Sequence, residues 1–279
     1  LCSDLLDGSV AVVTGAGRGI GAATAVALSA SGAAVCLVDL DADASASTAA
    51  MLPGRVVTVN VDLTDPGAAD TVIRRAVDAF GRLDIVVNNA GYNWDAALDR
   101  MSDEQFDAMV EVHLRVPFRM CRAAAPHLFD AAAEPGTGQP KVVNVSSLAA
   151  SFGNAGAANY AAAKAGLIGL SRALANEWGP RGINVNVAAF GIISTRLAQL
   201  RSPAATIAVG RHDVEVGLSR GAMEAFGLDA DVCPGNVALG RVGSTTEAAN
   251  TILWLCSPLA DYVTGQVIVA SGGLRGGLQ

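Results

Sequence analysis

Histidine is scarce in these 279 residues, with only His113, His127 and His212, all far apart in sequence. No spacing such as His-x-x-x-His puts two imidazoles on one helix face, so no metal site is expected. The five cysteines, Cys2, Cys36, Cys121, Cys233 and Cys256, are also scattered. They form no Cys-x-x-Cys pair, and three sit inside apolar runs, which points to buried free thiols in a reducing cytoplasm. Positive charge is short as well: 19 Lys and Arg stand against 26 Asp and Glu, a net charge of −7. With no positive field to neutralise phosphates, a nucleic-acid partner is excluded. No apolar run approaches the roughly 18 residues that a membrane span requires. The first ten residues lack a basic stretch followed by an apolar core, so a soluble, untargeted chain with no membrane association is expected. Aromatics make up only 5% while hydrophobic residues reach 51%, so the apolar content is mostly Ala, Val and Leu, with 31 Gly among them. That balance excludes disorder and fits an α/β enzyme.

Short β-branched runs alternate with Ala-rich helical stretches along the whole chain. The runs are Val10–Thr14, Ala34–Asp39, Val56–Val61, Ile85–Asn88, Val142–Ser146, Ile183–Val187 and Val267–Ala270. Helices are expected over Gly21–Ala30, Ala68–Phe80, Asp103–Ala132, Asn159–Trp178 and Glu247–Leu255. Seven strands alternating with helices demand right-handed parallel crossovers. The expectation is one α/β domain over 1–279, a Rossmann-type doubly wound parallel sheet of seven strands with helices on both faces. Near-continuous apolar strands such as Ala34-Val35-Cys36-Leu37-Val38 agree, because strands buried on both faces need no polar alternation. The stretch Glu134–Pro140 reads as a surface turn. Residues 196–241 are too long for an ordinary loop, follow the sixth strand on the ligand side of such a sheet, and read as a substrate lid.

The first strand runs through Thr14-Gly15-Ala16-Gly17-Arg18-Gly19-Ile20-Gly21 into a helix, leaving backbone N–H groups at the helix start for a pyrophosphate. About 20 residues on, Asp39 ends the second strand beside Leu40, where a carboxylate can accept both ribose hydroxyls of an adenosine and repel a 2′-phosphate. NAD is therefore expected, with NADP the alternative if Arg18 pairs with a 2′-phosphate instead. Asp62-Leu63 and Asn88-Asn89-Ala90-Gly91 put small and polar groups at the ends of the next two strands. Ser146-Ser147 close the fifth strand. Tyr160 and Lys164 follow at Tyr-x-x-x-Lys spacing, on one helix face. A phenol is a poor base at its ordinary pKa of about 10, and an adjacent ammonium is expected to favour the phenolate.

In this order the motifs resemble the short-chain dehydrogenase/reductases, from about Ser9 to Gly273, including a Gly-x-x-x-Thr at Gly191–Thr195. The resemblance implies a hydride-transfer enzyme in which Tyr160 is the acid/base, Ser147 polarises the substrate oxygen, and Lys164 binds the nicotinamide ribose and lowers the tyrosine pKa. It also implies that Asp62 contacts adenine, that Asn89 and Gly91 lie on the adenosine ribose side, and that Ile193 and Thr195 meet the carboxamide. Leu40, Leu63, Ala90 and Gly191 flank these contacts. Three positions depart from the family pattern: Phe190-Gly191 stands for Pro-Gly, Ser271 follows Ala270 where an Asp is usual, and His113 replaces the Asn of the catalytic tetrad.

Pro117 has no N–H for the carbonyl of residue 113, so that carbonyl should stay free, and the resemblance implies that a relay water binds it. His113 then acts as a spacer at the kink or as a relay group titrating near neutrality. Ser102 with Gln105 reads as the capping box that starts this helix. The segment Asn88–Leu114 is similar to (3R)-3-hydroxyacyl-thioester dehydrogenases and 3-oxoacyl reductases, which implies an acyl-thioester substrate. A polyol, steroid or terpenoid alcohol is the alternative substrate, and a non-catalytic NAD-binding protein the alternative class. A small-molecule substrate and a homo-oligomer, tetramer or dimer, are expected. His212 is expected to be a solvated surface residue.

Overall fold

The computed structural model describes residues 4–134, 138–202, 205–209, 212–218 and 237–274. Cys2, Cys233, residues 135–137 of the expected surface turn and residues 219–236 of the expected lid lie outside the described residues. Strands β1 (Val10–Thr14), β2 (Ala34–Asp39), β3 (Val56–Asn60), β4 (Ile85–Asn88), β5 (Lys141–Ser147), β6 (Asn184–Phe190) and β9 (Val267–Ala270) form one parallel sheet in the order β3-β2-β1-β4-β5-β6-β9. All seven expected strands are present, and each boundary agrees to within about three residues.

Burial explains the order. Every residue of β1, β4 and β6 is buried, and of β2 and β5 all but the last, whereas β3 and β9 alternate between half-buried and exposed residues and form the two edges. Alternate residues of the inner strands feed two separate cores. On one face Ala11, Val13, Val35 and Leu37 pack against α1 (Gly19–Ala30) and α8 (Thr245–Cys256). On the other, Val10, Val12, Cys36 and Val38 pack against α3 (Ala68–Phe80), α5 (Val116–Ala133) and α7 (Ala158–Trp178). Cys36, Cys121 and Cys256 are buried and unpaired.

A chain of side-chain amides crosses this second core. Asn88 pairs in register with Asn144 and donates to its Oδ1 at 2.8 Å, and Asn144 in turn donates to Ser171 Oγ at 2.8 Å. The chain therefore links β4 and β5 to α7.

Local chemistry fixes the helix ends. Ser102 and Gln105 form the expected capping box at α4 (Asp103–Val110), and Ser244 with Glu247 forms a second at α8. The long helix expected over 103–132 is interrupted by a π-turn at Glu111–Arg115, where the Val116 N–H reaches back to Glu111 O. Pro117, which cannot donate to the residue 113 carbonyl, sits at the start of the following helix and accounts for the wider turn.

Helix α2 (Ala42–Ala49), capped by Asp41 through the Ala44 N–H, and the short α6 (Ala149–Phe152) were not expected. Nor was the antiparallel pair β7 (Thr206–Val209) and β8 (His212–Glu215), which lies within the stretch read as an irregular lid. The alternation Thr-Ile-Ala-Val and His-Asp-Val-Glu-Val about Gly-Arg is a hairpin signal.

Candidate active site

The strand order reverses between β1 and β4, and a groove of about 500 Å3 opens at their carboxyl ends. Of the residues expected to hold a dinucleotide, Gly15, Arg18, Gly19, Ile20, Asp39, Leu40, Asp62, Leu63, Asn89, Ala90, Gly91 and Thr195 line it. Gly17, Gly21, Tyr160, Lys164, Gly191 and Ile193 do not. Gly191 is pressed against Ser271, and the Ile193 side chain belongs to the core. Any contact of Ile193 with a carboxamide would therefore come from its backbone.

The glycine turn is built for close approach. A Cβ on Gly15 would stand 2.8 Å from Ala90 Cα, and one on Gly21 would stand 2.0 Å from Gly15 O. Asn89 clamps the turn by donating from Nδ2 to Thr14 O at 2.9 Å and Gly15 O at 3.2 Å. Its side chain is thus committed to the turn rather than to a ribose. Thr14 Oγ1 accepts from the N–H groups of Asn89 and Ala90, a linking role that sequence reasoning missed. Unlike α2, α4 and α8, helix α1 has no side-chain cap, so the donors of its first turn remain for an anion.

Asp39 is oriented by the N–H groups of Gly17 (2.8 Å) and Asp41 (3.0 Å). Arg18 forms an ion pair with Asp41, which balances the charge that would favour a 2′-phosphate. Asp62 Oδ1 accepts from the Thr64 N–H and hydroxyl at 2.9 and 2.7 Å. The uncapped turn and the carboxylate at the end of β2 together fit a nicotinamide dinucleotide.

Beyond the groove, β5 delivers Ser147 and α7 delivers Tyr160 and Lys164. The Ser147 hydroxyl stands beside the Tyr160 phenol, where it favours the ionised form, and accepts from the Ala149 N–H at 3.2 Å. Asn159, fully buried, fixes this end of α7. Its Nδ2 donates to the carbonyls of Trp94 and Gln105 at 3.1 and 2.9 Å, and its Oδ1 accepts from the Tyr160 N–H at 2.8 Å. Sequence reasoning missed Asn159; the one available signal was an amide set against Tyr160 in an Ala-rich helix.

Lys164 is buried, donates from Nζ to Val145 O at 2.7 Å and lies 5.7 Å from the centre of the tyrosine ring. Burial pulls its ammonium down to about 7. Burial also pushes the Tyr160 phenol up to about 12, against the favourable hydrogen bond from Ser147. The expected lowering of the tyrosine by the lysine is therefore corrected. Burial dominates, the Asp95 charge adds to it, and the phenol is a neutral proton donor near pH 7.

His113 lies in the π-turn, with its ring edge-on to Tyr160 at 4.9 Å between centres. Nε2 is 2.8 Å from Tyr92 O; a carbonyl only accepts, so Nε2 carries the proton and Nδ1 is a buried lone pair without a partner. Burial, reinforced by the Lys164 charge, holds the imidazole well below its ordinary pKa. The expectation of titration near neutrality is corrected on that ground, and the ring is a neutral spacer. Gly91 makes room for it, since a Cβ there would stand 2.2 Å from His113 Cε1.

Over this centre lies the β7–β8 hairpin. Ile207 and Val209 pack on the Tyr92–Met109–Val112 cluster, against which Trp94 and Tyr160 also pack, and His212 stacks obliquely on Trp94 at 5.3 Å and sits 3.2 Å from Glu104. His212 is thus engaged with two neighbours, contrary to the expectation of a solvated residue. Among the described residues no group of His, Cys, Asp and Glu could hold a metal, and no helix is long and apolar enough to cross a membrane.

The doubly wound sheet, the uncapped glycine turn and a Ser-Tyr-Lys group at one end of the groove define an oxidoreductase of the dinucleotide-binding class. Residues 9–205 match the short chain dehydrogenase family and residues 219–275 match a family described as enoyl-(acyl carrier protein) reductase. The chain belongs to the short-chain dehydrogenase/reductase family. It is 36% identical to the 3-oxoacyl-[acyl-carrier-protein] reductase of Thermotoga maritima over 80% of this chain and 78% of that one, and 34% identical to the Escherichia coli reductase of the same name over 79% and 78%. Among solved structures it is similar to a dehydrogenase/reductase from Sinorhizobium meliloti, with a TM-score of 0.81, 31% identity and 98% of each chain covered. A doubly substituted mutant of a Serratia marcescens short-chain dehydrogenase/reductase gives 0.79 and 31%, covering 97% of this chain and 99% of that one.

Proposed function

We propose that the protein exchanges a hydride between NAD and a secondary alcohol or its ketone, with a 3-hydroxyacyl or 3-oxoacyl thioester as the substrate class. The observation that carries the reading is the Ser147 hydroxyl beside the Tyr160 phenol, with a buried Lys164 across the tyrosine ring, next to Tyr92 and Val112 of the dinucleotide groove. When bound, NADH supplies hydride to the carbonyl carbon. Ser147 Oγ and Tyr160 Oη hold the carbonyl oxygen, and the neutral phenol delivers the proton as negative charge develops there. Lys164 orients the nicotinamide ribose, and an ammonium drawn down to about 7 can release the replacement proton near neutral pH. Pro117 has no N–H to give the His113 carbonyl, which offers a place for a relay water, and the neutral imidazole lies within the π-turn.

Preference for NAD rests on Asp39, and on Arg18 being paired with Asp41. The thioester rests on the resemblance of Asn88–Leu114 and on the names of the curated relatives. Residues 196–241 act as a lid, supported by Ile207, Ala208 and Val209 of the hairpin, which line the groove, and by the cluster that Ile207 and Val209 share with Tyr160. A single domain, a cytoplasmic location and a homo-oligomer, dimer or tetramer, complete the reading. The buried free thiols support the location, and the exposed Leu259, Tyr262 and Val269 near the carboxyl end support the oligomer.

The test is NADH and NADPH oxidation with an acetoacetyl thioester, cyclic ketones and ketoses. Turnover of the thioester with a kcat/KM preference for NADH is the expected result. Turnover confined to cyclic ketones or sugars would replace the substrate class, and no turnover with any of them would leave a binding protein.

A further inference from the structure

A second polar group stands beside the reacting centre. Asp95, in the loop after β4, faces Arg201 from the stretch leading into the hairpin, with Nη2 and Oδ2 3.8 Å apart. That separation is an ion pair but exceeds a hydrogen bond. Arg201 Nη2 is instead directed to Gly217 O at 3.4 Å. Two buried atoms of the pair, Asp95 Oδ1 and Arg201 Nε, have no partner, and neither has Oδ1 of Asn93, two residues before Asp95. Buried polar atoms are nearly always satisfied, so acceptors and a donor left open together mark the place of a missing partner. The place is the substrate side of the site. The Asp95 charge acts on the Tyr160 phenol, and the neighbouring Trp94, whose carbonyl accepts from Asn159, packs on the same Tyr92–Met109–Val112 cluster as Tyr160 and Ile207.

We infer that Asp95 and Arg201 form a substrate-recognition pair for a neutral group that both donates and accepts a hydrogen bond, an amide or a hydroxyl, held beside the reacting carbonyl. The donor of that group meets Asp95 Oδ1 and its acceptor meets Arg201 Nε–H. A second carboxylate would face Asp95 and an ammonium would face Arg201, so a dipolar, uncharged group fits best. The inference rests on the Tyr160-centred reading of the active site. Under the thioester reading, the group is an amide on the arm that carries the acyl chain.

The experiment compares matched ketones that differ only in this group. One pair is the acetoacetyl thioester of N-acetylcysteamine against S-pentyl acetothioacetate. The other is 2-hydroxycyclohexanone against 2-methylcyclohexanone. In one pair or the other, kcat/KM should favour the polar member by about 10–100-fold, the effect of a hydrogen bond to a charged partner. Asp95→Ala and Arg201→Ala should bring that ratio close to one by slowing the polar member more than its apolar match, any effect on Tyr160 being common to both and cancelling in the ratio, while Asp95→Asn, which keeps an acceptor oxygen, should recover most of it. A wild-type ratio near one in both pairs overturns the inference. So does an equal loss on both members in the two alanine variants, which would make the pair a tie for the hairpin. If no ketone is turned over, the catalytic reading fails, and the pair is judged by the 15N-resolved Nε–H signal of Arg201, assigned by its loss in Arg201→Lys. N-(2-hydroxyethyl)acetamide added with NADH should move that signal in the wild type and not in Asp95→Ala; an unmoved signal overturns the inference independently.

Discussion

Gly91→Ala is expected to be among the most damaging single-methyl changes in the protein, and the cause should be His113. The added Cβ would lie 2.2 Å from Cε1, 2.7 Å from Nδ1 and 3.3 Å from Nε2 of the imidazole. Carbon atoms in contact sit about 3.5–4.0 Å apart, so the ring must move by more than about 1 Å. It has little freedom to do so, being almost fully buried, edge-on to Tyr160 and bonded to Tyr92 O at 2.8 Å. Overpacking of this kind costs about 1–3 kcal/mol, and leaving the Nε2–H or Tyr92 O buried without its partner costs about 1–3 kcal/mol more. A destabilisation of about 2–6 kcal/mol is expected by urea unfolding. In the His113→Ala background the same Gly91→Ala change should cost less than about 1 kcal/mol, giving a coupling energy of about 2–4 kcal/mol. NADH affinity, read by fluorescence, should fall in Gly91→Ala and recover in the double variant. Additive costs would refute the reasoning, because they would show that Gly91 is required by the backbone or the dinucleotide and not by the imidazole.

Tyr160→Phe should lower kcat by at least about 100-fold while leaving NADH binding near wild type; retention of more than a tenth of the activity would remove the acid role. Asp39→Ala should narrow the NADH/NADPH ratio in kcat/KM, since its carboxylate is lost and Arg18 remains. His113→Asn should keep most activity, and Pro117→Ala should lose more by letting the helix close its hydrogen bond at residue 113, a difference read in the kcat–pH profiles. Lys164 holds its proton in the native protein only up to about 7, whereas the unfolded chain holds it to the ordinary lysine value. Between those limits unfolding takes up a proton, so stability should rise with pH there, and Lys164→Met should flatten that rise in denaturation curves measured from about pH 7 to 10.

The sheet was legible because its inner strands are buried on both faces and so read as unbroken apolar runs, and because Gly, Asp and Asn punctuate their ends. The dinucleotide groove followed from the same punctuation. What escaped was set by partners distant in the chain. Asn159 matters through the carbonyls of Trp94 and Gln105, Thr14 through residues at the end of β4, and Asp95 through an arginine over a hundred residues away. Helix α2 escaped because Ser and Thr at Ser45, Ser47 and Thr48 are poor helix formers; the Asp41 cap and burial of Ser45 and Thr48 override that preference. The electrostatics of Tyr160 and His113 were misjudged for one reason: spacing shows which charges are neighbours but not how far burial has removed water from them.

The amide chain from Asn88 through Asn144 to Ser171 has a consequence for how the chain finds this sheet. Strands that are apolar on both faces lose little hydrophobic burial when they slide past one another, so their side-chain pattern discriminates weakly between alignments. The amides supply that discrimination. A shift of one residue between β4 and β5 would turn the Asn88 and Asn144 side chains to opposite faces and strand both in hydrocarbon, where each unmet amide is costly. The network therefore acts by excluding misaligned sheets more than by strengthening the aligned one. Replacing all three residues with apolar ones of similar volume would leave a sheet of comparable stability that assembles into competing alignments.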